Sequence, residues 1–232
     1  MIRVLFITGT DTGIGKTRIG GAISALLREE GVDIGVMKPV ECGGGDVGRD
    51  ASYLKKMARS NDPDEMINPY LFKEPLSPYH AAKKEGRKIE MAKITSAFEK
   101  LKSRHEITVV EGAGGLLAPV TGLLSVGDMA RAFGAPLLIV SHPFLGNINH
   151  TLLTIQAARG LGLNIAGVIF NQWKNMKYPK PDFDLIRNKG GTEVFGMMPY
   201  IEEGDSPGPL VASFREHINV ELFLARLGYG SS

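Results

Sequence analysis

The sequence predicts an α/β fold with a doubly wound, mostly parallel sheet flanked by helices. Three observations predict it. An apolar run, Val4-Leu5-Phe6-Ile7, ends in a glycine-rich turn that opens a helical pattern. Strand-like and helix-like patterns then alternate along the whole chain, which argues for right-handed crossovers in one parallel sheet. Polar residues and glycines gather where apolar runs end, at Lys38, Glu111 and Asn171. Open α/β sheets bind their ligands at these carboxyl ends of strands.

The first turn reads Gly9-Thr10-Asp11-Thr12-Gly13-Ile14-Gly15-Lys16-Thr17. Strand, glycine-rich loop and helix in that order make a phosphate loop. Glycines let backbone N–H groups approach phosphate oxygens, and the helix start offers the positive end of its dipole. Lys16 adds a point charge, and the Thr17 hydroxyl is a ligand type for Mg²⁺. The spacing departs from Gly-x4-Gly-Lys-[Ser/Thr], because the first glycine, Gly9, comes one residue early and position 10 is Thr.

Composition sets the outer bounds. In 232 residues, 43% are hydrophobic and 22% charged, which suits a globular domain; residues 1–232 are read as a single domain. A net charge of +2 gives no general attraction to nucleic acid or anionic membrane. The single cysteine, Cys42, permits no intrachain disulfide and fits a reducing, cytoplasmic setting. No signal-peptide pattern and no membrane-spanning run is read from the sequence. No histidine cluster or cysteine pair suggests zinc, and aromatic residues do not interleave with basic patches.

The elements follow in order. Residues 18–30 have helical apolar spacing closed by Gly31. Residues 33–40 form a short buried strand ending at Lys38-Pro39, followed by a flexible 41–45. Lys38 comes beside the phosphate loop if the first two strands lie close. Residues 48–60 are a helix with Asp50 in its first turn, where an acid complements the dipole. Residues 61–78, rich in Pro and Asn, read as an irregular excursion. Helices follow at 79–85 and 90–104. The strand 106–110 leads to Glu111-Gly112-Ala113-Gly114-Gly115, a Walker-B-like carboxylate with glycines that clear space for phosphate. Then come a helix at 125–133, a strand at 136–141, and a helix to about Leu161 with Asn147 or Asn149 as its N-cap. A strand at 163–171, a loop at 176–181, a helix at 182–189, a strand at 193–198 and a loop at 199–209 lead to a C-terminal helix, 210–227, and a tail, 228–232.

Together, the phosphate loop, Lys38-Pro39-Val40, Val110-Glu111-Gly112-Ala113-Gly114-Gly115 and Leu145-Gly146-Asn147-Ile148-Asn149-His150 closely resemble dethiobiotin synthetase, a P-loop NTPase-like family. The early Gly9 is part of that family's first motif. The resemblance implies ATP-dependent carboxylation and ring closure of 7,8-diaminononanoate with CO2, in biotin biosynthesis. It implies Lys38, Lys16 and Thr12 as catalytic residues and Thr17, Asp50 and Glu111 as Mg²⁺ ligands. ATP contacts are implied at Gly13, Ile14, Gly15, Lys16, Thr17, Arg18, Asp50, Glu111, Gly112, Ala113 and Gly114. For the base, they are implied at Asn171, Gln172, Pro199, Tyr200 and Ile201. Substrate contacts are implied at Thr12, Lys38, Cys42, Gly146, Asn147 and Asn149, the last three across a homodimer interface. Cys42 stands where many relatives carry Ser or Thr, and a thiol is the weaker donor. Residues 202–208 do not line up with the family's final nucleotide contacts. A cobyrinate-type amidase is disfavoured because the chain has no room for a glutaminase domain. A ParA/MinD-like switch ATPase is disfavoured because Thr10, Asp11 and Thr12 stand where an early lysine is usual.

Overall fold

A computed structural model describes residues 2–172, 181–201 and 206–229. The chain begins with β1 (Val4–Gly9) and α1 (Lys16–Glu29). Next come β2 (Ile34–Met37), β3 (Val40–Cys42), α2 (Arg49–Ala58), α3 (Asp64–Ile67) and β4 (Tyr70–Phe72). After α4 (Pro78–Lys84) and α5 (Met91–Arg104) come β5 (Ile107–Glu111), α6 (Val126–Ala132) and β6 (Leu137–Ser141). The remainder is α7 (Asn147–Gly160), β7 (Ile165–Asn171), α8 (Phe183–Gly190), β8 (Val194–Met198), α9 (Pro207–His217) and α10 (Val220–Leu227). The expected loop at 176–181 and tail at 228–232 fall largely outside the described residues.

The main sheet is parallel throughout, with six strands in the order β2-β5-β1-β6-β7-β8. Its strands are buried on both faces. Along β1, Leu5 and Ile7 join the core beneath α1, α2 and the C-terminal helices, while Val4 and Phe6 join the core beneath α5 and α6. That alternation is the two-residue period of a strand read by two helical layers. On the second face, Phe98 stacks on Phe133 with centroids 4.0 Å apart. No helix among the described residues is long and apolar enough to cross a membrane.

Three sequence expectations are corrected. The strand expected at 33–40 is two strands in two sheets. Pro39 has no N–H for a ladder and bends the chain; β2 stays in the main sheet while β3 pairs with β4 in a parallel two-stranded sheet. The 61–78 excursion therefore contains α3 and β4, and residues 41 and 42 lie in a strand. The long C-terminal helix is broken at Ile218-Asn219. There, Ile218 bridges to Gly196 and Asn219 caps α10 by accepting from the Leu222 N–H at 3.0 Å. Third, the N-cap of α7 is Gly146, in the left-handed region at φ 95°, and Asn147 is already helical.

Candidate active site

The phosphate loop is closed on itself. Gly13 and Gly15 have φ of 71° and 85°, where side chains are strained. Gly9 has a different job: a Cβ there would lie 2.5 Å from Ile14 Cδ1. The early glycine lets Ile14 fold back over the end of β1, where it is buried. Lys16, 6% exposed, curls over the loop and donates to the Asp11 carbonyl at 3.0 Å. Thr12 stays exposed at the loop's outer edge.

β5 separates β1 from β2, so the first two strands are not neighbours. Lys38 nevertheless reaches the loop, because β5 ends on Glu111 between them. The Lys38 ammonium pairs with Glu111 Oε1 and, at 2.8 Å, with Asp50 Oδ2. The Thr17 hydroxyl donates to Glu111 Oε1 at 2.9 Å and also engages Asp50. Thr17, Asp50 and Glu111, expected as one ligand set, thus converge around Lys38. They line a cleft of about 670 Å³ together with Lys16, Thr12 and Cys42.

The charges set one another's protonation. Burial drags the Lys16 ammonium down, the nearby Lys38 lowers it further, and its pKa falls to about 8. Burial also works against the Lys38 ammonium, but Glu111 and Asp50 outweigh it and hold Lys38 charged well above the usual lysine range. Desolvation opposes ionisation of Asp50, yet Lys38 keeps its carboxyl below the ordinary value. Burial pushes the Glu111 carboxyl up, against the pull of Lys38. Burial raises the Cys42 thiol to about 11. At pH 7.5 iodoacetamide should therefore label Cys42 slowly, with the rate still climbing about tenfold per pH unit above pH 9. A plateau below pH 9, read by intact mass, would contradict this.

Several supporting residues were not legible beforehand. Asn68 donates through Nδ2 to the Lys38 carbonyl at 2.6 Å, and the Lys38 N–H donates to the Ile67 carbonyl at 2.8 Å. The supposedly irregular excursion thus braces the lysine. Its Pro75–Pro78 segment also walls the cleft, with Leu76 42% exposed. Glu41 is 4% exposed and accepts from two N–H groups at the start of α2. The sequence signal for the excursion was only its prolines, which mark a bend without saying what it packs against. Gly112 is set by packing, since a Cβ there would lie 2.6 Å from Val126 Cγ1.

The residues expected around the base lie apart from this cleft. Asn171 is fully buried at the end of β7; its Nδ2 donates to the Ile14 carbonyl at 2.9 Å. Its Oδ1 has no hydrogen-bond partner among the described residues. The Gln172 N–H donates to the Met198 carbonyl, and Arg18 donates to the Ile201 carbonyl at 3.3 Å, joining α1 to the segment after β8. Gly146, Asn147 and Asn149 do not line the cleft either. They start α7, where Asn147 Nδ2 donates to the Phe144 carbonyl and no side chain caps the helix. Leu145 beside them is 98% exposed.

A family model described as an AAA domain matches residues 3–207. An ATP-dependent dethiobiotin synthetase BioD from Bacillus licheniformis is 38% identical over 230 residues, covering 97% of each chain. One from Methanococcus vannielii is 39% identical over 198 residues, covering 84% of this chain and 92% of its own. Among solved structures, a ParA family ATPase from Chlorobium tepidum has a TM-score of 0.56 at 14% identity, covering 97% of this chain and 98% of its own. MinD from Aquifex aeolicus has a TM-score of 0.58 at 17% identity, covering 97% and 95%. At such identity these two share the fold alone. The phosphate loop, its early glycine and the full-length relatives agree: the chain belongs to the ATP-dependent dethiobiotin synthetase family.

Proposed function

We propose that the chain closes the cyclic urea of dethiobiotin. One amine of 7,8-diaminononanoate takes up CO2 as a carbamate. A carbamate oxygen attacks the γ-phosphorus of ATP and ADP leaves, giving a carbamic–phosphoric anhydride. The second amine then attacks the carbonyl carbon, loses a proton and expels inorganic phosphate. The observation that carries this reading is the second buried lysine. A phosphate loop needs one cation; an anionic nucleophile approaching a phosphate needs another. Lys16 serves the phosphates, and Lys38 the carbamate and the charge that develops on it. Thr12, at the loop's edge, lies on the carbamate side. Pro75, Leu76 and Pro78 offer an apolar wall for the alkyl chain.

Thr17, Asp50 and Glu111 supply oxygen donors only, and Glu111 Oε2 is buried without a partner among the described residues, which suits a hard cation. These three residues would hold Mg²⁺, which when bound neutralises phosphate charge. The backbone of Gly13, Gly15 and Gly112–Gly114 faces the phosphates. Asn171 Oδ1, without a partner among the described residues, suits the exocyclic amine of adenine, with Gln172 and Pro199–Ile201 beside the base. The helix start at Gly146, Asn147 and Asn149, which no side chain among the described residues caps, suits the substrate carboxylate, which reaches it from the partner's cleft in a homodimer. Leu145 beside this helix start and Leu153 on α7, 98% and 59% exposed, support an apolar interface there. The organisation is a single synthetase domain acting in the cytoplasm on small molecules.

The test is incubation with 7,8-diaminononanoate, bicarbonate buffer and Mg²⁺–ATP, read by mass spectrometry. Dethiobiotin and ADP in equal amounts are expected; ADP without dethiobiotin would leave only a switch ATPase. The dimer has its own test. Leu145→Glu should sediment as a monomer and lose carboxylate recognition, raising KM for the diamine at least tenfold. A monomeric wild type with full activity would remove the shared site.

A further inference from the structure

Glu41 is the most buried carboxylate, among the described residues, that the reaction above does not use. It lies in the middle of β3, three residues beyond Lys38. Its Oε1 accepts from the Asp50 N–H and its Oε2 from the Ala51 N–H, both at 3.0 Å. Those N–H groups belong to the first turn of α2, where no partner exists within the helix. The residue that normally supplies one, the N-cap, is Gly48 and has no side chain. The lack of a side chain is what admits Glu41. A Cβ on Gly48 would lie 2.7 Å from Glu41 Oε2 and 3.1 Å from Asn68 Oδ1.

The consequence concerns Asp50. Glu41 grips the backbone of the residue whose side chain meets Lys38 and Thr17. A charged acceptor on two adjacent donors fixes both the position and the direction of the helix start. The same short segment therefore delivers Lys38 and anchors Asp50 opposite it. We infer that Glu41 is a positioning residue, which holds the Asp50 carboxylate in place for the nucleotide-bound divalent cation. The inference rests on the metal reading proposed above.

The test is calorimetric titration of ATP into Glu41→Ala, Glu41→Gln, Gly48→Ala and Asp50→Asn, each in excess Mg²⁺ and in EDTA. Glu41→Ala should bind ATP about tenfold more weakly in Mg²⁺, in line with the loss of groups that orient metal ligands, and unchanged in EDTA. Glu41→Gln, which keeps one acceptor, should recover most of the difference. Gly48→Ala should show the Mg²⁺-specific loss although Glu41 is still present, and this variant decides the matter if Glu41→Ala does not fold. Equal losses in Mg²⁺ and EDTA would overturn the inference. So would no loss in Glu41→Ala while Asp50→Asn loses Mg²⁺-dependent binding, and the metal reading would then stand. Asp50→Asn with unchanged Mg²⁺ dependence would instead sink the metal reading, and this inference with it.

Discussion

Lys38→Ala should cut the rate of dethiobiotin formation by about three orders of magnitude while ATP still binds. Removing one preorganised donor from a charge-stabilising site costs about 10²–10³-fold, and here the donor is a full, buried charge. The structure adds a second effect. Without Lys38, the buried Glu111 and the nearby Asp50 face one another with no cation between them. Breaking a buried pair costs about 3–5 kcal/mol when the remaining charge stays ionised. Glu111 can escape by taking a proton, because burial already raises its carboxyl. A carboxyl with a raised folded pKa contributes stability that is complete below its unfolded value and lost as pH rises through the folded value. The variant should therefore melt near the wild type at about pH 4 and progressively earlier as pH rises. Mg²⁺ should restore part of that loss. Melting curves at several pH values with and without Mg²⁺, together with single-turnover rates, make the check. Retained turnover, or loss of nucleotide binding with turnover per bound ATP unchanged, would mean that Lys38 has been assigned the wrong task.

Lys16→Ala should abolish ATP-dependent product formation, with ATP affinity falling at least a hundredfold. The reason lies in how unsatisfied this lysine is. It is 6% exposed; among the described residues one carbonyl is its hydrogen-bond partner, and the pull of Glu111, Asp50 and Asp11 does not outweigh its burial and the nearby Lys38 ammonium. Its pKa of about 8 means that the free enzyme loses this proton just above neutrality. Phosphates restore it, so ATP binding should take up a proton near pH 8–9 and weaken as pH rises beyond 8. Calorimetry in two buffers of different ionisation enthalpy reads that uptake, and Lys16→Ala should show none of it. Stability has the opposite sense. A lysine lowered on folding leaves the unfolded chain holding more protons between pH 8 and the usual lysine range, so the free enzyme gains stability across that window. Lys16→Met should remove this gain and raise the melting temperature at pH 7, because an apolar stem replaces a poorly paired buried charge. A variant that melts lower at pH 7 would show that the lysine is better satisfied than its contacts indicate.

Much of this was legible where chemistry and local sequence coincide. The strand, loop and helix from Val4 to Glu29 are contiguous, and Glu111 closes a mainly apolar strand. Local pattern showed Asp50 only as a dipole partner, and its metal role came from the family resemblance, because its meeting with Lys38 joins the end of β2 to the first turn of α2. Glu41 and Asn68 act through main-chain groups of residues distant in sequence, and no spacing rule reports that. The split of the second strand was foreshadowed by Pro39, but its destination depends on β4, whose three residues carry no periodicity. The break before α10 was announced by Asn219, a good N-cap, which the longer apolar rhythm obscured.

The bend at Lys38-Pro39 also divides the molecule's labour. Upstream of it, the chain belongs to the main sheet and shapes the cradle for phosphates. Downstream, residues 39–90 form an insert that returns to the sheet only after walling the cleft. Lengthening or trimming Pro75–Pro78 should therefore change which aliphatic chain is accepted while leaving nucleotide affinity where it was. New acceptors for the same activated phosphate are to be sought in the Pro75–Pro78 wall, which can diverge while Glu41, Asp50 and Asn68 of the same insert stay tied to the Lys38 site.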